Sequence, residues 1–175
     1  MAKTYNTIST FTAGQVLTAA QMNDLGENSN NYRVPPMCKA IRSGNLSYTS
    51  TDPVAWNDEA FDTDGMHDNS TNNSRITINT AGIYLFVLNV HITFTGTYTP
   101  GPDLKINHSS QGTIGYWYGG SSVAATAGVF NLSAVAECAA SDYVEAKLTT
   151  SGASGVTVIA GAASYLSAAW IGQVS

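Results

Sequence analysis

A long alternation of apolar residues between Ile83 and Thr95 is the feature that most constrains the fold. Every second side chain is large and apolar, which is the period of a β-strand with one face in a core. At about 3.3 Å per residue the run spans roughly 43 Å, so it predicts an unusually long strand. The residues on its apolar face are Tyr84, Phe86, Leu88, Val90, Ile92 and Phe94.

Shorter strand-like runs surround this one, and residues typical of turns, such as Gly119-Gly120, separate them. No interval between them holds the amphipathic helix of about 10–15 residues that a βαβ unit requires. About ten strands in this arrangement predict an all-β fold, an antiparallel jelly-roll sandwich with a short N-terminal arm and helix. The other predicted strands are 38–42, 46–50, 75–79, 103–107, 113–118, 123–137, 142–149, 155–160 and 164–172.

The chain divides at Pro35-Pro36, because two consecutive prolines end a helix and stiffen the connection that follows. We predict an N-terminal anchor arm and short helix over residues 1–36 and a jelly-roll head over 37–175. Residues 1–17 have no partner in the sequence pattern, which favours an arm that docks elsewhere, with a disordered tail as the alternative.

A helix is predicted after Thr18, which is a good N-cap, and Gln21 three residues later completes a capping box. Met22, Leu25 and Tyr32 share one face of this helix. The asparagine-rich segment 28–31 weakens it, so we expect the helix to need a second surface over its apolar stripe.

Charge and composition narrow the range of partners. Charged residues are only 11% of the chain, the net charge is −5, and the seven basic residues are scattered, so neither a nucleic acid nor an anionic membrane is expected as a partner. No apolar run reaches the roughly 18–20 residues of a membrane span, and the N-terminus lacks the pattern of a secretory signal. We expect a protein made in a cytoplasm, with Cys38 and Cys138 reduced rather than joined in a disulfide.

The sequence offers no support for catalysis, and we expect neither enzymatic activity nor a cofactor. There is no Gly-x-Ser-x-Gly motif, and the three histidines lack metal-ligand spacing, although copies of His91 meeting on a symmetry axis are an alternative. The acidic segment 58–68 fails the spacing of an EF-hand, which favours a solvated, mobile loop over a calcium site.

Three stretches resemble the jelly roll of tumour-necrosis-factor-like proteins and of complement globular heads. The first comprises 56–62 and 75–86 and includes the Gly-Ile-Tyr-Leu-Phe segment at 82–86. The second comprises 130–136 and 142–146, where Ser141 stands in place of the family's glycine. The third is the closing strand at 164–172. This resemblance implies a head that forms homotrimers.

The N-terminal segment is similar to the opening of many structural proteins of tailed bacteriophages. These carry a Gly-x-x-x-Thr-Ala-x-x-x-Asn pattern, which is matched here by Gly14, Thr18, Ala19 and Asn23. Together the two resemblances imply a virion-surface protein made in the host cytoplasm. It would be a capsid decoration (cement) or head-fibre protein, anchored to the major capsid protein or another virion structural protein.

Two sets of residues are therefore candidates for function. The anchor candidates are Phe11, Val16, Leu17, Met22, Leu25 and Tyr32. The candidates for the trimer interface are Tyr84, Phe86, Tyr116, Trp117, Tyr118, Tyr165 and Trp170, for each of which core packing is the alternative. An alternative function is a receptor-binding fibre tip or adhesin that recognises a host cell-surface glycan, with 116–118 as a stacking platform. A free complement-like ligand-binding domain is a third.

Overall fold

The computed structural model describes residues 2–7, 10–48, 53–95, 103–118, 127–149 and 154–174. Within these residues there are one helix, α1 (Ala19–Arg33), and eleven strands. The strands are β1 (Met37–Arg42), β2 (Leu46–Tyr48), β3 (Asp58–Asp62), β4 (Arg75–Thr77), β5 (Gly82–Thr95), β6 (Asp103–His108), β7 (Gly112–Trp117), β8 (Ala127–Cys138), β9 (Tyr143–Thr149), β10 (Ser154–Val158) and β11 (Gly161–Gly172).

The strands form two antiparallel sheets. The large sheet has seven strands in the order β2-β10-β5-β11-β1-β3, with β8 on the other side of β5. The small sheet has four, in the order β4-β9-β6-β7. Each predicted strand region contains a strand, although 49–50 and 123–126 lie outside the described residues. The predicted fold class is thereby confirmed.

The core lies between the sheets and is built by the alternation seen in the sequence. The even-numbered side chains of β5, from Tyr84 to Phe94, are buried, as are those of β6 from Leu104 to His108. Trp56 and Met66 add two further fully buried side chains from the connections. Because burying one large apolar side chain contributes about 1.5–3 kcal/mol, the two facing rows account for much of the stability of the sandwich.

Strand β3 corrects one expectation. Its residues belong to the acidic segment that was predicted to be a mobile loop, but they pair with β1 at the edge of the large sheet. None of its side chains is buried, so no alternation marks it in the sequence. Within the described part of the chain, no group of three His, Cys, Asp or Glu side chains is placed to hold a metal ion.

Two other features bear on the predictions. Ser141 has a φ of 77°, a left-handed conformation that glycine adopts without strain. The described residues contain no helix long and apolar enough to cross a membrane.

Candidate functional site

The N-terminal helix begins as predicted. The hydroxyl oxygen of Thr18 accepts a hydrogen bond from the backbone N–H of Gln21 at 3.2 Å, and Gln21 Oε1 accepts one from the backbone N–H of Thr18 at 3.0 Å. This reciprocal capping box satisfies two backbone donors and stabilises the first turn by about 1 kcal/mol.

The arm at 2–7 docks on its own chain, whereas the sequence favoured docking elsewhere. The backbone N–H of Asn6 donates to Asn28 Oδ1 at 2.8 Å, and Asn28 Nδ2 donates back to the carbonyl of Asn6 at 2.8 Å. Asn31 Nδ2 donates to the carbonyl of Thr4. Asn28 is the buried residue of α1, so the arm lies against the polar side of the helix. The asparagines that weaken the isolated helix therefore bind the arm.

An aromatic junction, defined here as Tyr5, Tyr32 and Trp170, joins the arm and helix to the head. The ring of Tyr5 stacks on the indole of Trp170 with centroids 4.7 Å apart and an interplanar angle of 4°. Tyr32 meets Tyr5 edge-on at 5.3 Å. Such aromatic pairs contribute about 0.5–1.5 kcal/mol each beyond the area they bury.

Thr80 links the arm to the core of the head. Its hydroxyl oxygen accepts from the backbone N–H of Lys3 at 2.7 Å and donates to Asp64 Oδ2 at 2.8 Å. Its carbonyl accepts from the phenol of Tyr84 at 2.6 Å. Burial raises the pKa of Asp64, and burial also raises that of Tyr84. The arm is thus bound through both polar and aromatic contacts.

Four apolar side chains beyond the arm remain exposed and form what we call the N-terminal patch: Phe11, Val16, Leu17 and Met22, with exposed fractions of 41%, 87%, 37% and 53%. A turn closed by the bond from Gln15 N–H to the carbonyl of Thr12 brings this segment into the start of α1. Of the other two anchor candidates, Leu25 is half-buried, and Tyr32 is exposed but also belongs to the aromatic junction.

The outward side of the large sheet, which we call the large-sheet face, carries a second group of exposed apolar residues. Leu85 of β5 lies opposite Val135 of β8 on one side and Ala169 of β11 on the other. The exposed apolar side chains of these three strands are Leu85, Val129, Val135 and Ile171. Leu85 and Val135 are adjacent, whereas Val129 lies six residues from Val135 along β8, opposite His91.

The structure corrects the predicted interface at several positions. Tyr84 and Phe86 are completely buried between the sheets, which leaves them no surface for contact with a second copy. Trp170 is covered by Tyr5 and is only 7% exposed. Trp117 packs its half-buried ring on Phe130 at 4.7 Å. These four aromatic residues therefore pack in or against the core, which is the alternative to a place in the trimer interface.

The remaining three candidates are accessible but lie on different sheets. Tyr165 is half-buried on the large-sheet face beneath the ammonium group of Lys39, 4.0 Å from its centroid. Tyr116 and Tyr118 are exposed at the end of β7, on the small sheet. The candidates do not include Leu85, Val129, Val135 and Ile171, which the alternation of the same strands places opposite the core residues.

The outward side of the small sheet, the small-sheet face, combines tyrosines with charged side chains. The ammonium group of Lys105 lies 5.1 Å from the centroid of Tyr116, whose phenol donates to Asp103 Oδ2 at 3.0 Å. Desolvation and the neighbouring Asp103 carboxylate raise the pKa of Tyr116, so the phenol remains a donor at neutral pH. Arg75 binds Glu145 at 3.0 Å and covers the ring of Tyr143 at 4.0 Å.

The cysteines and two of the histidines contact neighbouring side chains within the fold. Cys38 and Cys138 are both buried free thiols, as predicted, and burial raises the pKa of each, that of Cys138 to about 12. Thiols of this kind are poor nucleophiles. His108 lies 3.2 Å from Cys138 Sγ inside the sandwich. His67 contacts Glu59 Oε1 of β3 at 3.1 Å.

Comparisons with family models and with curated proteins each found no match. Several solved structures match. The globular domain of zebrafish complement 1qA protein aligns with a TM-score of 0.58 and 16% identity over 79% of this chain and 99% of that one. Murine APRIL at pH 8.0 gives 0.57 and 12% over 78% and 98%. Eiger TNF from S. frugiperda gives 0.58 and 9% over 80% and 96%. At these identities the likeness establishes the fold: this chain is a jelly roll of the kind found in tumour-necrosis-factor and complement globular-head domains.

Proposed function

We propose that this chain is a non-enzymatic structural protein of a tailed-bacteriophage virion, either a capsid decoration (cement) protein or a head-fibre protein. Its head forms a homotrimer, and its N-terminal segment anchors it to the major capsid protein or another virion structural protein at the virion surface. The observation that carries the proposal is the exposed N-terminal patch, which follows an arm that docks on the jelly roll.

Self-association is supported by the large-sheet face. Apolar side chains such as Leu85 and Val135 lie side by side there, and burying apolar surface contributes about 25 cal/mol per Å². The sandwich already has a full core between its sheets, so this second apolar layer has no partner within the described chain. A closed ring of copies would cover it and would also protect sheet edges.

Anchoring is supported by the separation of the two apolar surfaces. The N-terminal patch belongs to residues that precede or begin α1, whereas the large-sheet face belongs to the head. A trimer would therefore present three patches at once. Linked weak contacts of this kind bind a repetitive shell far more tightly than one contact alone, by roughly 10²–10⁴-fold.

We expect the double variant Leu85→Asp/Val135→Asp to be monomeric in sedimentation equilibrium, whereas the unmodified chain has the mass of a trimer. Two carboxylates on facing strands would have to be desolvated in the interface, which costs several kcal/mol. The variant should keep its fold, because both side chains are exposed in the single copy. A monomeric unmodified chain would contradict the trimer, and so would a trimeric double variant.

The double variant Val16→Asp/Met22→Asp is expected to remain trimeric but to lose attachment to particles. It adds the same two negative charges at exposed positions, so it is the matched control for charge and folding. Attachment is measured by adding purified protein to virions that lack it and sedimenting the particles. Equal attachment of this variant and the unmodified chain would overturn the anchoring role of the N-terminal patch.

A second candidate function, recognition of a host cell-surface glycan, is supported by the adjacent exposed rings of Tyr116 and Tyr118. Their centroids are 6.3 Å apart. Exposed aromatic faces next to hydrogen-bonding side chains are the usual platform for a sugar ring. Virions without the protein would then remain intact but fail to adsorb to cells, whereas the first function predicts that their stability or composition changes.

A further inference from the structure

The few cationic side chains of this chain are unevenly distributed. The chain has seven lysines and arginines and a net charge of −5. Three of the seven, Arg75, Lys105 and Lys147, point outward from the small sheet, because the alternate residues of β4, β6 and β9 are buried beneath them. The same face also carries two carboxylates, Asp103 and Glu145, of which Glu145 is paired with Arg75.

Two of these three cations are not neutralised. Arg75 is paired with Glu145 and stacked on Tyr143. Lys105 and Lys147 are direct partners on the neighbouring strands β6 and β9, and neither forms an ion pair with any described residue. Two like charges opposite one another destabilise a sheet. An anion bound between them would remove this repulsion.

A stacking surface lies directly beside the two lysines. Lys105 pairs with Lys147 on one side and with Tyr116 on the other, so the three side chains form one row across the small sheet. Tyr116 is 49% exposed, and its phenol is held by Asp103, which limits the rotation of the ring. The row therefore places an ammonium group 5.1 Å from the centroid of an oriented, exposed ring.

The adjacent row supplies groups for hydrogen bonding. An open depression of about 240 Å³ is lined in part by Asn107, Thr113, Glu145 and Lys147. Thr113 donates to Asn107 Oδ1 at 2.8 Å, and the amide nitrogen of Asn107 donates to no described residue. The depression is smaller than the roughly 300–1,000 Å³ of pockets for drug-sized ligands and does not include Tyr116, so it suits the polar groups at one end of a small ligand.

We propose that the small-sheet face binds an acidic saccharide through its carboxylate group. The carboxylate lies between Lys105 and Lys147, the sugar ring stacks on Tyr116, and hydroxyl groups bind Asn107 and neighbouring polar side chains in the depression. This inference rests on the second candidate function and names its ligand class. A nucleic acid fits the surface less well, because two free lysines in a chain of net charge −5 cannot neutralise a run of phosphates.

The experiment compares 3′-sialyllactose with lactose as ligands of the full chain, by calorimetry or ligand-observed NMR. We expect sialyllactose to bind with a Kd of about 1 mM or lower, and to bind at least about tenfold more tightly than lactose. Affinity should fall as salt is raised, since the charges are exposed. Lys105→Gln/Lys147→Gln should weaken sialyllactose binding about tenfold and leave lactose binding unchanged.

The matched control is Arg33→Gln/Lys39→Gln, which makes the same change in net charge at α1 and at the large-sheet face. Lys39 is also a fair match for Lys105, since it lies over a tyrosine ring in the same way. This control should bind sialyllactose like the unmodified chain. Equal loss in both double variants, or equal affinity for both sugars, would overturn the acidic-saccharide site. If lactose alone binds, glycan recognition is supported but the acidic-saccharide site is contradicted. If neither sugar binds, both glycan recognition and the acidic-saccharide site are contradicted.

Discussion

Replacing Trp170 with alanine is expected to lower the free energy of unfolding by about 3–5 kcal/mol and to release the N-terminal arm from the head. The indole is nearly completely buried and belongs to the core, and its outer side carries the stacked ring of Tyr5. Its removal leaves a cavity under the arm and takes away the platform that orients Tyr5 and Tyr32. Both the head and its connection to the arm should therefore weaken.

Two measurements separate these effects. Urea unfolding, followed by the fluorescence of Trp56 and Trp117, gives the stability of the head. Hydrogen exchange at the backbone N–H of Asn6, which is bound to Asn28 Oδ1, reports on the docked arm. In the Trp170→Ala variant this proton should exchange much faster than the protons of β5.

The control is Trp117→Ala, which removes another indole from the edge of the core, where it packs on Phe130. That variant should also unfold more easily, but exchange at Asn6 should not change. A double-mutant cycle with Tyr5→Ala is expected to give a coupling free energy of about 1 kcal/mol between Tyr5 and Trp170. If Asn6 stays protected without Trp170, the aromatic junction does not hold the arm.

The strands could be predicted because their signal is local. Alternation in β5, β8 and β9 reflects one buried and one exposed face, and it can be read within a few residues. Strand β3 has no buried face and contains three carboxylates, so the same reasoning assigned it to a loop. An edge strand exposed on both sides leaves no periodic trace in the sequence.

The candidate sites could be predicted only in part. Val16 and Met22 are exposed and lie outside the β-sandwich, and their role in an anchor stays a prediction. Alternation places Tyr84 and Leu85 on opposite sides of the sheet, but both sides of β5 begin with apolar residues, so it does not show which side would contact a second copy. Tyr5 and Trp170 stack although they lie far apart in the sequence, and no short-range pattern predicts such a contact.

After Trp170→Ala, we expect the next largest loss of stability from adding a single carbon at Gly82. A Cβ there would lie 2.1 Å from Trp170 Nε1 and 2.7 Å from the backbone carbonyl oxygen of Gly172. Tyr5 stacks on the face of this indole, which restricts how far the ring can move. Gly82→Ala is therefore expected to destabilise the head by about 3 kcal/mol, at the upper end of the usual cost of overpacking, as measured by urea unfolding.

Gly172→Ala is the matched control, since it adds the same carbon on the neighbouring strand, opposite Ile83, where nothing lies within 4 Å. It should change stability by less than about 1 kcal/mol. The absence of a side chain at Gly82 leaves room for the indole of Trp170, and this indole supports Tyr5. Gly82→Ala should therefore also accelerate hydrogen exchange at the backbone N–H of Asn6, as is expected for Trp170→Ala. Equal stability of the two glycine variants would show that β11 can shift away from β5 at this end, and the arm would then have no fixed platform to dock on.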